Sequence, residues 1–194
     1  NVGVTAARAE VIAMSDADDV VGERWVATLH RVVSQTDVLA TGMMRLDVIN
    51  SEFVCRAKAV ADGLDQVPHP YEQGPFSYLG YEVFVFGSNI GIRRSTYLEV
   101  GGMNEAMLGG SEDVDFSWRL LESGRTIVVD PGATVHYRLR AGTYDAMTQG
   151  YRYSRAQLGL WRRSQLLGRP VRGMSFRWAV TETAKLPLSW AKAR

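Results

Sequence analysis

The sequence predicts an α/β fold, a sheet flanked by helices, with a basic helical segment at its C-terminal end. Strand-length apolar runs alternate with stretches whose apolar residues recur at helical spacing, the pattern of a layered α/β domain. At 194 residues with 46% hydrophobic side chains, the chain is long enough for one well-buried core. A net charge of +1 conceals a division: residues 1–137 hold 10 Lys and Arg against 19 Asp and Glu, giving −9, and residues 138–194 hold 12 against 2, giving +10. The two parts therefore face different partners.

The elements follow from periodicity and breakers. Val11 to Met14 form a short apolar run that reads as a buried strand ending at acidic residues. Trp25, Val26, Leu29, Val32 and Val33 recur at helical spacing, and a second strand is expected around Val38 to Leu46. A helix follows from about Ser51 to Ala61, then a loop bearing Pro and Gly through Gly80. Further strands are expected at Tyr81 to Phe86, Thr126 to Val129 and Thr134 to Leu139, with a helix opening near Ser111 and closing before Gly124. Folds of this kind place ligands at the carboxyl ends of their strands.

Composition excludes several classes. It is globular rather than disordered. The single cysteine, Cys55, has no internal partner for a disulfide and lies among Phe53, Val54, Ala57 and Val60 at helical spacing, so it is expected to pack in a reduced compartment. The longest weakly charged run, "PFSYLGYEVFVFGSNIGI", contains Glu82, Asn89, a proline and three glycines, which a lipid-facing helix of about 20 residues tolerates poorly. No transmembrane span is expected.

The first motif is "VIAMSDADDVV", which sets Asp16, Asp18 and Asp19 within four positions. Like charges this close repel by about 4 kcal/mol per pair at an effective dielectric near 20, so a positive partner belongs there. A solvated acidic turn or a cap for the helix at Trp25 is one reading. Carboxylates at the end of a buried strand also suit hard divalent cations, which bridge to phosphates. Asp16, Asp18 and Val20 match the Asp-x-Asp signature of haloacid dehalogenase phosphatases, with Asp16 as nucleophile, yet Lys58, Lys185 and Lys192 are the only lysines and none is well placed for that mechanism. An EF-hand is excluded because Val21 stands at the sixth loop position, where a glycine is needed.

The second constellation is "VGGMNEAMLGGSEDVDFSWRLLESGRTIVVDPGATVHYRLR": a glycine-rich turn, a Ser-Glu-Asp helix start, a helix closed by Gly124, a strand, and a histidine on the next strand. Together with "DADD", the lead-in "NVGVTAARAEVIAMSDADDVV" and "GSNIGIRRSTYLEVGGMNE", it resembles an inverting family 2 glycosyltransferase of GT-A fold, from Asn1 to about Arg140. Ala9 stands where that family often has glycine. The resemblance implies a Rossmann-like mixed sheet lacking the N-terminal strands that grip the nucleotide base, hence a fragment of a longer enzyme. It divides the chain into a catalytic core over 1–140 and a basic, tryptophan-containing segment over 141–194.

The same resemblance implies roles. Asp18, with Asp16 and His136, would hold Mg²⁺ or Mn²⁺, and Asp16, Asp19 and Arg8 would contact the nucleotide sugar. Asp113 would be the base that deprotonates the acceptor hydroxyl, with Glu112 beside it. Ser111 is a plausible N-cap, which would put Asp113 in the first turn, where the helix dipole favours a carboxylate. Decoration of a helix start by acids is the plainer alternative for this pair. His136, alternating with Val135 and Tyr137, is by spacing alone a structural residue, and an imidazole among carboxylates would favour Mn²⁺. Asn89, Gly101, Gly102 and Trp118 are candidate acceptor-site residues, the two glycines serving equally well in a turn with positive φ. Asp115 and Arg119, spaced i, i+4, are expected to form a salt bridge.

The expected reaction moves a sugar from a nucleotide-diphosphate donor to a hydroxyl of a glycan or lipid-linked acceptor, in polysaccharide synthesis at the cell envelope. An inactive binding scaffold is the non-enzymatic alternative. The tail interleaves arginines with Trp161, Trp178 and Trp190. Either its helices pack back on the sheet with arginines in solvent, or it docks on the anionic inner face of the membrane from the cytoplasm, where tryptophans settle at headgroup level. No nucleic-acid partner is expected, since the rest of the chain is acidic.

Overall fold

The computed structural model describes residues 1–61, 76–107 and 109–172. Its elements run α1 (Val2–Ala6), β1 (Val11–Met14), β2 (Val20–Val21), α2 (Trp25–Gln35), β3 (Val38–Thr41), β4 (Met44–Arg45), α3 (Glu52–Ala61), β5 (Phe76–Ser77), β6 (Val83–Phe84), β7 (Ile90–Arg93), α4 (Arg94–Glu99), α5 (Glu112–Glu122), β8 (Thr126–Val129), β9 (Val135–His136) and α6 (Thr143–Leu166). The main sheet has the order β1-β7-β3-β8, with β3 and β8 parallel and the other pairs antiparallel. A smaller sheet, β2-β9-β4, carries one antiparallel and one parallel pair. Mixed sheets flanked by helices are consistent with the GT-A fold.

The strand expected from Val38 to Leu46 is two strands in two sheets. Gly42 causes the break: a Cβ there would lie 2.1 Å from the carbonyl oxygen of Ala133, so the chain can pass under the 130–133 turn only as glycine. β7 was missed by periodicity although it lies centrally between β1 and β3. Its Ile90 and Ile92 are fully buried on either side of Gly91, and neighbouring glycine and polar residues hide so short an apolar strand.

Two apolar layers sandwich the main sheet. Trp25, Leu29, Val32 and Val33 of α2 pack on Val38 and Ala40, while Phe116 and Leu120 of α5 join Ile12, Leu39, Ile90, Ile92 and Tyr97. Cys55 is buried and free, as its helical neighbours predicted.

The basic segment is not a free appendage in its described part. Leu160 and Val171 are buried against Val114 and Trp118 of α5. Two of its arginines, Arg163 and Arg169, turn inward, which neither sequence reading included, while Arg152, Arg155, Arg162 and Arg172 are exposed. Asp115, fully buried, pairs with Arg119 as expected at 2.8 Å, and also with Arg163 at 3.1 Å and Arg169 at 3.2 Å. Arg169 binds Glu122 through two nitrogens at 2.6 and 2.9 Å and lies over the Trp118 ring. Trp178 and Trp190 lie outside the described residues.

Candidate active site

The two sequence motifs meet because of strand direction. β7 runs antiparallel to β1, with Met14 opposite Ile90, so the start of β7 lies beside the end from which the acidic loop emerges. The residues just before β7 reach the second motif: the Gly87 N–H donates to Asp113 Oδ2 at 3.0 Å. The third contribution comes through the small sheet, where Val20 pairs with His136 and the Arg138 N–H donates to Asp19 Oδ1 at 2.8 Å. One end of the main sheet thus gathers the acidic loop, the start of α5 and the strand of His136.

Within the acidic loop, Asp19 N–H closes a turn onto Asp16 carbonyl at 3.3 Å. Burial, aided by Asp18, raises the Asp16 carboxyl above its usual range against the pull of Arg140. Burial likewise raises Asp19 to about 6; the Arg138 N–H opposes this and the neighbouring aspartates add to it. Asp18 pairs with Arg140 at 2.7 Å, and its carbonyl accepts from Arg138 Nε at 2.8 Å. The positive partner demanded by three clustered carboxylates is thus in part internal. Arg138 and Arg140 were missed as site residues, although they alternate with His136 in "HYRLR" and period-two spacing could have found them.

Asp113 is half-buried at the start of α5. Its Oδ1 accepts the Val114 N–H at 2.8 Å. Burial, with some repulsion from Glu112, raises it to about 6 although the backbone N–H groups of Gly87, Val114 and Asp113 itself favour the charged form. Such a carboxylate is ionised at neutral pH yet basic enough to accept a proton. Ser111 is not a side-chain cap: its φ of 64° is left-handed and its hydroxyl makes no capping bond. The turn, not a cap, aims this helix start.

Two expected acceptor residues are withdrawn by burial. Asn89 is fully buried, and its amide ties three segments together, accepting from Trp25 Nε1 at 2.8 Å and donating to the carbonyls of Ala133 and Met43. Trp118 is fully buried, donates to the Glu82 carbonyl at 2.9 Å and stacks edge-on against Tyr81. Gly101 and Gly102 have φ of 89° and 63°, and the Gly102 carbonyl accepts from Arg119, which is the turn role that the sequence left open. Arg8 is exposed on the segment entering β1.

The residues suit a divalent cation in their chemistry. Carboxylates of Asp16, Asp18 and Asp19 are hard oxygen donors, and two buried atoms at this place, Asp19 Oδ2 and His136 Nδ1, have no hydrogen-bond partner. Among the described residues no three His, Cys, Asp or Glu side chains already converge as a ligand set. Oxygens from a bound phosphate would have to complete it.

The profile of glycosyl transferase family group 2 matches residues 11–192. The chain belongs to this family. That match spans both motifs and decides against the haloacid dehalogenase reading of Asp16. The chain is also similar to the pre-mycofactocin glycosyltransferases of Mycobacterium tuberculosis strains CDC 1551 / Oshkosh and ATCC 25618 / H37Rv, with 29% identity over 146 residues in each case. That alignment covers 75% of this chain and 30% of each relative, so the chain spans under a third of the length of the curated relatives it matches. No helix among the described residues is long and apolar enough to cross a membrane.

Proposed function

We propose that this chain carries the catalytic centre of an inverting, metal-dependent glycosyltransferase that moves a sugar from a nucleotide-diphosphate donor to a hydroxyl of a glycan or lipid-linked acceptor. The observation that carries the reading is the Gly87 to Asp113 hydrogen bond, which brings a carboxylate of raised pKa to the sheet end from which Asp16, Asp18 and Asp19 emerge. A base and a diphosphate-binding loop are the two parts that inverting transfer requires.

Asp16, Asp18 and His136 would hold Mn²⁺ or Mg²⁺, with Asp19 supporting the turn through Arg138; the cation supplies charge neutralisation for the departing diphosphate. Asp113 Oδ takes the proton of the acceptor hydroxyl as its oxygen bonds to the anomeric carbon, and the bond from that carbon to the diphosphate breaks on the opposite face. The N–H groups of Gly87 and Val114 keep Asp113 oriented and ionised until then. Arg8, which the sequence reading gave to the donor side, lies before β1, at the opposite end of that strand from the acidic loop, and takes no part in this step; burial and then repulsion from Glu112 keep the base's proton affinity high. The mycobacterial relatives' name, that of a glycosyltransferase, supports glycosyl transfer.

In the full-length protein, Asp18→Ala is expected to abolish Mn²⁺-dependent donor binding, read by titration calorimetry. Binding of the donor equal to wild type with and without Mn²⁺ would overturn the metal assignment.

A further inference from the structure

Ser117 of α5 lies within the second motif, which gave it no role, yet its hydroxyl ties the first turn of that helix to the chain approaching β7. It is fully buried, between the fully buried Phe116 and Trp118. A buried hydroxyl costs stability unless it is hydrogen-bonded, and one inside a helix that bonds back to an earlier carbonyl slightly weakens the helix. Ser117 Oγ is engaged on both counts: it accepts the N–H of Val85 at 3.2 Å and donates to the main-chain carbonyl of Asp113 at 2.7 Å.

The same two segments meet again at the carboxylate. Gly87, two residues after Val85, donates its N–H to Asp113 Oδ2 at 3.0 Å. Asp113 and Ser117 are four residues apart, about 6 Å of helical rise, and two residues of extended chain cover about 6.6 Å, so the two contacts match in spacing. Asp113 is therefore held at both ends, its carbonyl through Ser117 and its carboxylate through Gly87. Both holds lead to residues 85–87, which continue through a turn, closed by the Asn89 N–H on the Phe86 carbonyl, into β7. Ile90 of β7 lies opposite Met14, at the end of β1 from which the acidic loop emerges. A single hydrogen bond at Gly87 would leave the start of α5 free to pivot about it, and the second contact removes that freedom.

We propose that Ser117 is a positioning residue for the base: its hydroxyl fixes the first turn of α5 against residues 85–87, so that the Asp113 carboxylate stays on the Gly87 N–H at the end of the sheet that carries the acidic loop. This role rests on the reading of Asp113 as base given above and deepens it. It also explains a hydroxyl among apolar core side chains, since an apolar residue there would leave the buried Val85 N–H without its acceptor and Asp113 with one hold instead of two.

The experiment uses the full-length protein with its glycine nitrogens isotope-labelled for NMR. The Gly87 amide resonance, identified by its loss in Gly87→Ala, reports the hydrogen bond and should titrate with Asp113 at about 6 in the wild type. Ser117→Ala is expected to move that midpoint up by about one unit, because a hydrogen bond to the charged form is weakened. It is also expected to lower kcat about tenfold or more, as misplacement of a reacting group does, read as nucleoside diphosphate released from UDP-glucose, GDP-mannose or dTDP-glucose. Glu112, the charged group that acts on Asp113, is unchanged in the variant. Should Ser117→Ala not fold, Ser117→Cys fills the space with a weak donor and acceptor, and the midpoint is expected to move the same way. A Gly87 midpoint equal to wild type in the folded variant overturns the proposal, as does a moved midpoint with wild-type kcat: a serine that served packing alone would lower the melting temperature and leave both readouts in place. Wild-type turnover by Asp113→Asn would instead overturn the base reading, and the Gly87 resonance would still decide whether Ser117 holds the carboxylate.

Discussion

Replacing Asp113 by Asn separates chemistry from folding. Burial raises this carboxyl from 3.8 to about 6, so the folded state prefers it protonated: this contribution to stability is largest at low pH and declines as pH rises through about 6. At about 1.4 kcal/mol per pH unit, holding the carboxylate charged at neutral pH costs up to about 3 kcal/mol. Asparagine removes that cost. It also has one carbonyl oxygen where aspartate offers two, and Oδ1 and Oδ2 serve the N–H groups of Val114 and Gly87 respectively. One N–H then loses its acceptor, at about 1–3 kcal/mol. The two effects nearly offset, so the variant is expected to fold with a melting temperature close to wild type. Its activity is expected to fall 10²- to 10⁴-fold, the usual worth of a general base, or about 3–5 kcal/mol in the barrier. The assay is release of nucleoside diphosphate by the full-length protein with acceptor present, from pH 5 to 8. Wild-type kcat/KM should rise through about pH 6 and level off, whereas Asp113→Asn should be low and lack that limb. Transfer within threefold of wild type would refute the base assignment.

Asp115→Asn faces the opposite outcome, because three guanidinium groups close on a fully buried carboxylate. Leaving them without their common anion is expected to cost about 3–5 kcal/mol in urea unfolding; a loss below about 1 kcal/mol would mean the cluster is held by Glu122 alone. The arginines hold Asp115 below the usual carboxylate range, so its contribution is present above the unfolded value and is lost as pH falls through the folded one, and this part of the acid sensitivity should vanish in the variant. For the basic segment, we propose docking on an anionic membrane surface, with exposed Tyr144, Tyr151, Arg155 and Arg162 on α6 as its described part. Co-sedimentation with anionic vesicles should weaken with salt, and equal pelleting with neutral vesicles, or none with either, would leave α6 as packing only.

Legibility varied with how local the physics was. Helical periodicity marked α2, α3 and α5 because each buries a broad face along one element, and the apolar run of β1 with its acidic end was plain for the same reason. β7 was not, since Ile90, Gly91 and Ile92 make too short an alternation among glycines. Asn89 shows the limit for polar residues. Its type suits an acceptor site, yet only the packing of Trp25, Met43 and Ala133 around it reveals a core residue satisfied on every side.

The reaction class was therefore legible in the sequence as a resemblance: three aspartates at a strand end, an acidic pair at a helix start and a histidine on a later strand, in that order, resemble the motifs of the family that the chain belongs to. Their mutual placement was not. It depends on β7 running antiparallel to β1, on Gly42 dividing one strand between two sheets, and on Arg138 joining Asp19 across 119 positions of chain. Residue type fixes what a group can do wherever it sits, whereas burial, partners and hence proton affinity arise only when distant segments pack, which is why the contact of Gly87 with Asp113 became visible in the tertiary structure alone.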